Sequence, residues 1–134
     1  MADSPKLYRV ILQVSDLDKG AGFYSILLGT EGRRIHGGFR HYFDCGDVIL
    51  ALVDPSADDD TARPNPDNIY FSVKDIDAMH ARAKALGCLS SENVHDEPAG
   101  EIVTRPWGER SFYACDPFGN PICFVEESTV FTGR

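Results

Sequence analysis

The side chains able to recognise a small molecule fall in a few short stretches of this chain. Its single tryptophan, Trp107, lies in a Pro106-Trp107-Gly108 turn, ahead of two apolar runs that carry Tyr113 and Cys123. An indole stacks on flat rings and attracts cations through its π face. Arg9 and Arg33 offer forked donors suited to a carboxylate or phosphate, and they disfavour a strongly cationic ligand. Cys123 becomes a candidate nucleophile if a positive charge such as Arg9 lowers its pKa. A cysteine on an apolar strand is more often inert packing, and no His or Asp partner is assigned to this one. His36 and His41 bracket a Gly37-Gly38 turn, so adjacent strands could bring them together around a metal; isolated strand histidines are more often only hydrogen-bonded.

Strands must position these groups. Residues 9–13 alternate, with Val10, Leu12 and Val14 on one face and Arg9, Ile11 and Gln13 on the other. Residues 68–73 repeat the pattern, Ile69, Phe71 and Val73 against Asn68, Tyr70 and Ser72. Alternation of this kind predicts half-buried strands. Arg9, Gln13, Asn68 and Ser72 on the second face predict a wet, polar-lined cavity rather than an apolar interaction surface. Tyr70, His41, Phe43 and Tyr113 are further candidates for its lining.

Each strand runs into a helix start, Val14-Ser15-Asp16-Leu17 and Val73-Lys74-Asp75-Ile76, whose aspartates are natural N-caps. Both helices finish on Leu-Gly, suited to a left-handed C-terminal cap. The caps stand 59 positions apart (75 − 16) and the glycines, Gly29 and Gly87, 58 apart (87 − 29). Leu17, Ala21, Tyr24 and Leu28 form the expected inner face of the first helix; Ile76, Met79, Ala83 and Leu86 form that of the second. His80 is expected on the second helix, away from the binding face, and His95 in a loop. Gly20 and Gly22 each cost about 1 kcal/mol relative to alanine, which predicts close packing against the first helix. Three strands should follow each helix, near 31–36, 40–45 and 47–53, then near 100–105, 110–115 and 121–127. The Asp- and Pro-rich stretch 55–67 reads as a linker between modules 7–54 and 68–127, and 128–134 as a tail. The plan is a tandem βαβββ duplication within one domain.

Composition narrows the function classes. A net charge of −8 argues against nucleic acid and favours cationic small ligands. The run Asp58-Asp59-Asp60 is expected to be solvated loop. With 43% hydrophobic and 25% charged residues over 134 positions, the chain has the profile of a soluble globular domain. No apolar run approaches the ~20 residues of a membrane span, and the N-terminus shows no apolar signal region. Four cysteines without Cys-x-x-Cys spacing fit reduced thiols in a cytoplasmic protein.

The anchors Val14-Ser15-Asp16-Leu17, Phe23-Tyr24 with Leu27-Leu28-Gly29, Phe71 to Asp77, and Asp116-Pro117-Phe118-Gly119-Asn120 resemble the vicinal oxygen chelate superfamily. That group includes glyoxalase I, extradiol dioxygenases, and fosfomycin and bleomycin resistance proteins. The resemblance runs from about Leu7 to Glu127. It implies an α+β fold in which tandem βαβββ modules form an open, curved, barrel-like sheet with helices on the convex side. Metal-dependent members carry ligands at four equivalent points, which fall here on Arg9, Ala51, Asn68 and Cys123. Arginine repels a cation, alanine offers no donor, asparagine is a weak one, and a lone thiolate is inadequate. The resemblance therefore implies no catalytic divalent metal and no other cofactor.

Among metal-free relatives, the chain is most similar to bleomycin resistance proteins. It shares Pro106-Trp107-Gly108 with Phe112, then Asp116-Pro117, Gly119-Asn120, and the ending residues Phe124, Val125 and Glu126. This implies a homodimer that binds a small molecule in its concave cleft, with antibiotic sequestration one form of the activity. The alternative is an enzyme of the superfamily, lyase, isomerase or dioxygenase-like, either metal-free or using a non-standard site.

Overall fold

The computed structural model describes residues 3–134. The chain forms two compact units, the first ending at Arg63 and the second spanning Pro64–Arg134, so the division falls inside the predicted linker. The first unit contains β1 (Arg9–Gln13), α1 (Leu17–Leu28), β2 (Arg33–Arg34), β3 (Arg40–Cys45) and β4 (Val48–Val53). The second contains β5 (Ile69–Val73), α2 (Ile76–Ala85), β6 (Asn93–Val94), β7 (Glu97–Pro98), β8 (Val103–Thr104), β9 (Arg110–Cys115) and β10 (Pro121–Glu126). The sheets have matching orders, β1-β4-β3-β2 and β5-β10-β9-β8, with one parallel pair each. This is an α+β fold built from a duplicated βαβββ module. No helix among the described residues is long and apolar enough to cross a membrane.

The predicted caps form as the residue types require. Asp16 accepts from the Lys19 amide and Asp75 from the Ala78 amide, both at 3.0 Å. Each helix then covers one face of its own sheet. In the first unit, Leu12, Leu50, Leu52 and Phe43 are almost fully buried with Tyr24 and Leu27 of α1. In the second unit, Phe71, Phe124 and Phe112 stack in a row with centroids 5.2 and 5.3 Å apart, and His80 of α2 meets Phe112 edge-on. Fully burying a side chain of this size stabilises by roughly 1.5–3 kcal/mol, so these rows hold helix to sheet. On α1, Phe23 and Leu27 are buried while Leu28 is only half-buried, a small rotation from the expected face.

The first of the three strands expected after each helix shrinks to two residues, β2 and β8, against the six expected. Gly32, at φ +64°, brings the chain into β2 so closely that a Cβ there would strike the Tyr42 carbonyl and the Phe43 ring. A hairpin absent from the sequence expectation, β6–β7, fills the passage between α2 and β8. Its turn residues His95 and Asp96 both take positive φ, the backbone of a tight two-residue hairpin turn.

The linker is tied to each unit separately. The Arg63 amide donates to the Gln13 side chain within the first unit, and the Asn65 amide to the Asn120 side chain within the second. Asn120 is fully buried and also donates to Asp116, whose other carboxylate oxygen accepts the Phe118 and Asn120 amides. The Asp-Pro-Phe-Gly-Asn motif is thus a brace for the β9–β10 turn.

Gly22 corrects one expectation. It is exposed, and none of the described residues lies within 4 Å of where its Cβ would be, so close packing does not explain it. Gly22→Ala should stabilise the fold by about 1 kcal/mol, read from urea unfolding midpoints; an unchanged or lower midpoint would contradict this.

Candidate functional site

The turn Arg105–Glu109, between β8 and β9, builds the most chemically distinctive site in the second unit. The Arg105 amide bonds the Glu109 carbonyl at 2.8 Å, and Gly108 closes the turn at φ +96°. Arg105 points inward and is 2% exposed. Its guanidinium donates to the Ser111 hydroxyl and to the Ser111, Glu101 and Ala99 carbonyls, and lies 5.1 Å above the Tyr113 ring. Trp107 and Glu109 turn toward a cavity of about 480 Å³, lined also by Tyr70, Ser72, Val125 and Phe131.

Glu109 organises that cavity. One carboxylate oxygen accepts from the Trp107 indole at 2.7 Å, the other from the Phe131 amide at 2.9 Å. Thr129 is fastened alongside, its hydroxyl accepting the Arg110 amide. The residues read as a tail therefore return to form a wall. His95, at the tip of the β6–β7 hairpin, packs edge-on against Trp107 at 5.3 Å. Among the described residues Glu109 has no ion-pair partner.

The other predicted residues scatter in an informative way. Tyr70, Ser72 and Trp107 share the cavity just described. Asn68 and Tyr113 line a second cavity of about 400 Å³ with Ser90, Glu92, Cys115 and Pro121. Arg9, Gln13 and Arg33 lie on the first unit's sheet face opposite α1, where Gln13 holds the linker and Arg33 grips Asp44 through two bonds of 3.0 and 3.2 Å.

Two candidates are removed. His41 and Phe43 face the helix side, not the open side, because β3 places Arg40, Tyr42 and Asp44 on the open face. His41 is buried against Phe43 at 5.0 Å, with the Arg34 Nε at 3.3 Å from Nδ1 and the Glu31 carbonyl at 2.9 Å from Nε2. That pattern assigns a proton to Nε2 and leaves no lone pair for a metal, so a His36/His41 centre is not formed.

Cys123 is likewise no nucleophile. It is fully buried in a cluster with Ala99, Tyr113 and Val125. Burial pushes its thiol from 9.0 up to about 12, against smaller opposing effects of the Ser111 hydroxyl and the Arg105 guanidinium. The cation acting on it is Arg105, not Arg9. Because the unfolded chain loses this proton first, the group's contribution to stability is complete below pH 9 and declines as pH rises toward 12. Cys123→Ala should flatten the fall of unfolding free energy over that range, and native-state alkylation should label exposed Cys115 while sparing Cys123. Early labelling of Cys123 would restore the nucleophile reading.

The four metal-ligand positions implied by resemblance can now be tested on their surroundings. Arg9 donates to the Tyr42 hydroxyl at 3.2 Å, Ala51 has no donor atom, and the Cys123 thiol holds its proton. Asn68 is the single remaining neutral oxygen. This donor set does not fit a divalent ion. Among the described residues no group of three or more His, Cys, Asp or Glu side chains is placed to hold one.

The duplicated module with matching sheet orders is accompanied by a family match. The model for the glyoxalase/bleomycin resistance protein/dioxygenase superfamily covers residues 6–124. The chain belongs to that superfamily. Among solved structures, it is 25% identical to lactoylglutathione lyase from Agrobacterium tumefaciens, with a TM-score of 0.68 over 93% of this chain and 96% of that one. A glyoxalase/bleomycin resistance protein from Albidiferax ferrireducens is also 25% identical, with a TM-score of 0.69, covering 90% of this chain and 97% of the other. The oxidase ChaP-H1 is 27% identical, with a TM-score of 0.70, covering 92% and 96%. No curated protein sequence matches the chain. The superfamily thus includes neighbours named for different chemistries, and the side chains of this member must distinguish among them.

Proposed function

We propose that this superfamily member binds a flat, cationic small molecule in the Trp107 cavity of its second unit, without a resident catalytic metal. Glu109 carries the reading. Its carboxylate stands in the wall with only neutral donors on it, the Trp107 indole and the Phe131 amide. It therefore presents negative potential to an occupant, beside the aromatic side chains of Trp107 and Tyr70. The net charge of −8 acts in the same direction at longer range.

The opposing signal of Arg9 and Arg33 belongs to the other unit. Sequestration of a cationic antibiotic is one form the activity would take, and a homodimer remains part of the proposal, testable by sedimentation. The lining offers stacking surface, one charge and the two hydroxyls of Tyr70 and Ser72, a composition suited to holding a ligand.

Because Trp107 is the only tryptophan, its fluorescence reports this cavity alone. Titration with N-methylquinolinium, with neutral quinoline at pH 8 and with naphthoate should give affinities in that order. Naphthoate binding as tightly as the cation would sink the proposal.

A further inference from the structure

On the first unit, the sheet face opposite α1 carries a cluster of opposite charge. Arg9 from β1 and Arg40 from β3 each place Nη1 at 3.2 Å from the same atom, the Tyr42 hydroxyl oxygen. The Arg9 and Arg33 guanidinium carbons lie 5.7 and 5.9 Å from the centre of the Tyr42 ring. Arg33 is neutralised by Asp44, whereas among the described residues neither Arg9 nor Arg40 has a carboxylate within 4.0 Å. Two uncompensated guanidiniums thus converge on one phenol in a chain of net charge −8. Their pull lowers the Tyr42 pKa below its ordinary 10.0, chiefly through the Arg40 hydrogen bond.

The duplication shows what such a group takes when it is satisfied. Tyr42 pairs with Ala51 as Tyr113 pairs with Cys123, so the two tyrosines are equivalent. Over Tyr113, Arg105 is buried and its Nη2 donates to the carbonyl oxygens of Ala99, Glu101 and Ser111. Over Tyr42 the arginines are exposed or half-exposed, and among the described residues the phenol oxygen is the only acceptor of either Arg9 or Arg40. The β1–β4 register sets Ile11, Ile49, Ala51 and Val53 beside them, and Ile11 is 43% exposed. The face therefore combines two unsatisfied forked donors with an apolar floor.

We propose that Arg9, Arg40 and Tyr42 form a second binding site, specific for a small carboxylate with an apolar body. The carboxylate takes the forked bonds of the two guanidiniums and the body lies on the Ile11 side. This site is built from first-unit residues alone and has the opposite charge preference to the Trp107 cavity.

The test uses benzoate on the intact chain, with benzamide and benzylamine as uncharged and cationic controls, followed by calorimetry. Benzoate should bind and the controls should not. The double variant Arg9→Gln/Arg40→Gln should weaken benzoate about tenfold or more. In the wild type, benzoate should also raise the pH of one tyrosine ionisation, a shift missing in Tyr42→Phe; this reading needs no arginine variant to fold. Equal binding of benzamide, no benzoate binding, or an undisturbed Tyr42 titration overturns the proposal. So does a change of sedimentation in the double variant without any change in benzoate affinity, which would make the face a contact between copies.

Discussion

Replacing Arg105 with alanine should cost about 3 kcal/mol of folding stability, among the larger effects available to a single substitution in this chain. The side chain is almost fully buried, and its bonds tie the Ala99–Glu101 segment to Ser111 of β9. Truncation leaves the Glu101 and Ser111 carbonyls without that donor and opens a void above Tyr113. The residue is not ideally satisfied even so, since its Nη1 has no hydrogen-bond partner among the described residues. An apolar replacement of similar length is therefore expected to do better than alanine. Arg105→Met keeps the stem and the contact with the Tyr113 ring, and should lose about half as much. Urea unfolding of both variants checks this; equal losses would mean that the charge, not the packing, holds the turn in place.

Trp107→Ala should weaken N-methylquinolinium binding by tenfold or more, a loss of roughly 1–2 kcal/mol from stacking and cation–π attraction. The substitution also removes the donor that orients Glu109 at 2.7 Å, so part of the loss arises through the carboxylate. Trp107→Phe keeps a ring without the indole N–H, and should retain about half of the binding free energy at stake. Calorimetry is the readout, since the fluorophore is gone. An unchanged affinity would place the ligand elsewhere.

The duplicated plan is visible in the sequence because its signals are local. Alternation fixes the two faces of β1 and β5, the cap aspartates start both helices, and turn glycines mark the hairpins. The site is only half legible for a related reason. Strand β3 reads Arg-His-Tyr-Phe-Asp-Cys, where polarity does not alternate cleanly, so the pattern alone does not decide which face His41 and Phe43 take. Local partners, the Glu31 carbonyl and Arg34, make a buried histidine acceptable and reverse the assignment.

Cys123 is hidden for a different cause. Its own strand leaves it on the ligand face, and burial comes from Val125 on the same strand, Tyr113 on the paired strand β9, and Ala99 from the segment ahead of β8. Glu109 was missed because a glutamate two residues after Trp107 carries no special spacing. Only the return of residues 129–131 turns it into a cavity wall. A glutamate so close to a turn tryptophan is the one local signal that could have suggested it.

The central claim, that Glu109 gives the Trp107 cavity its preference for cations, rests most directly on one ratio. The affinity of N-methylquinolinium relative to quinoline at pH 8 should be measured in the wild type and in Glu109→Gln. Glutamine preserves the shape and an acceptor while removing the charge, so the preference should fall about tenfold, largely through weaker binding of the cation. A ratio that stays the same in both proteins would contradict the account.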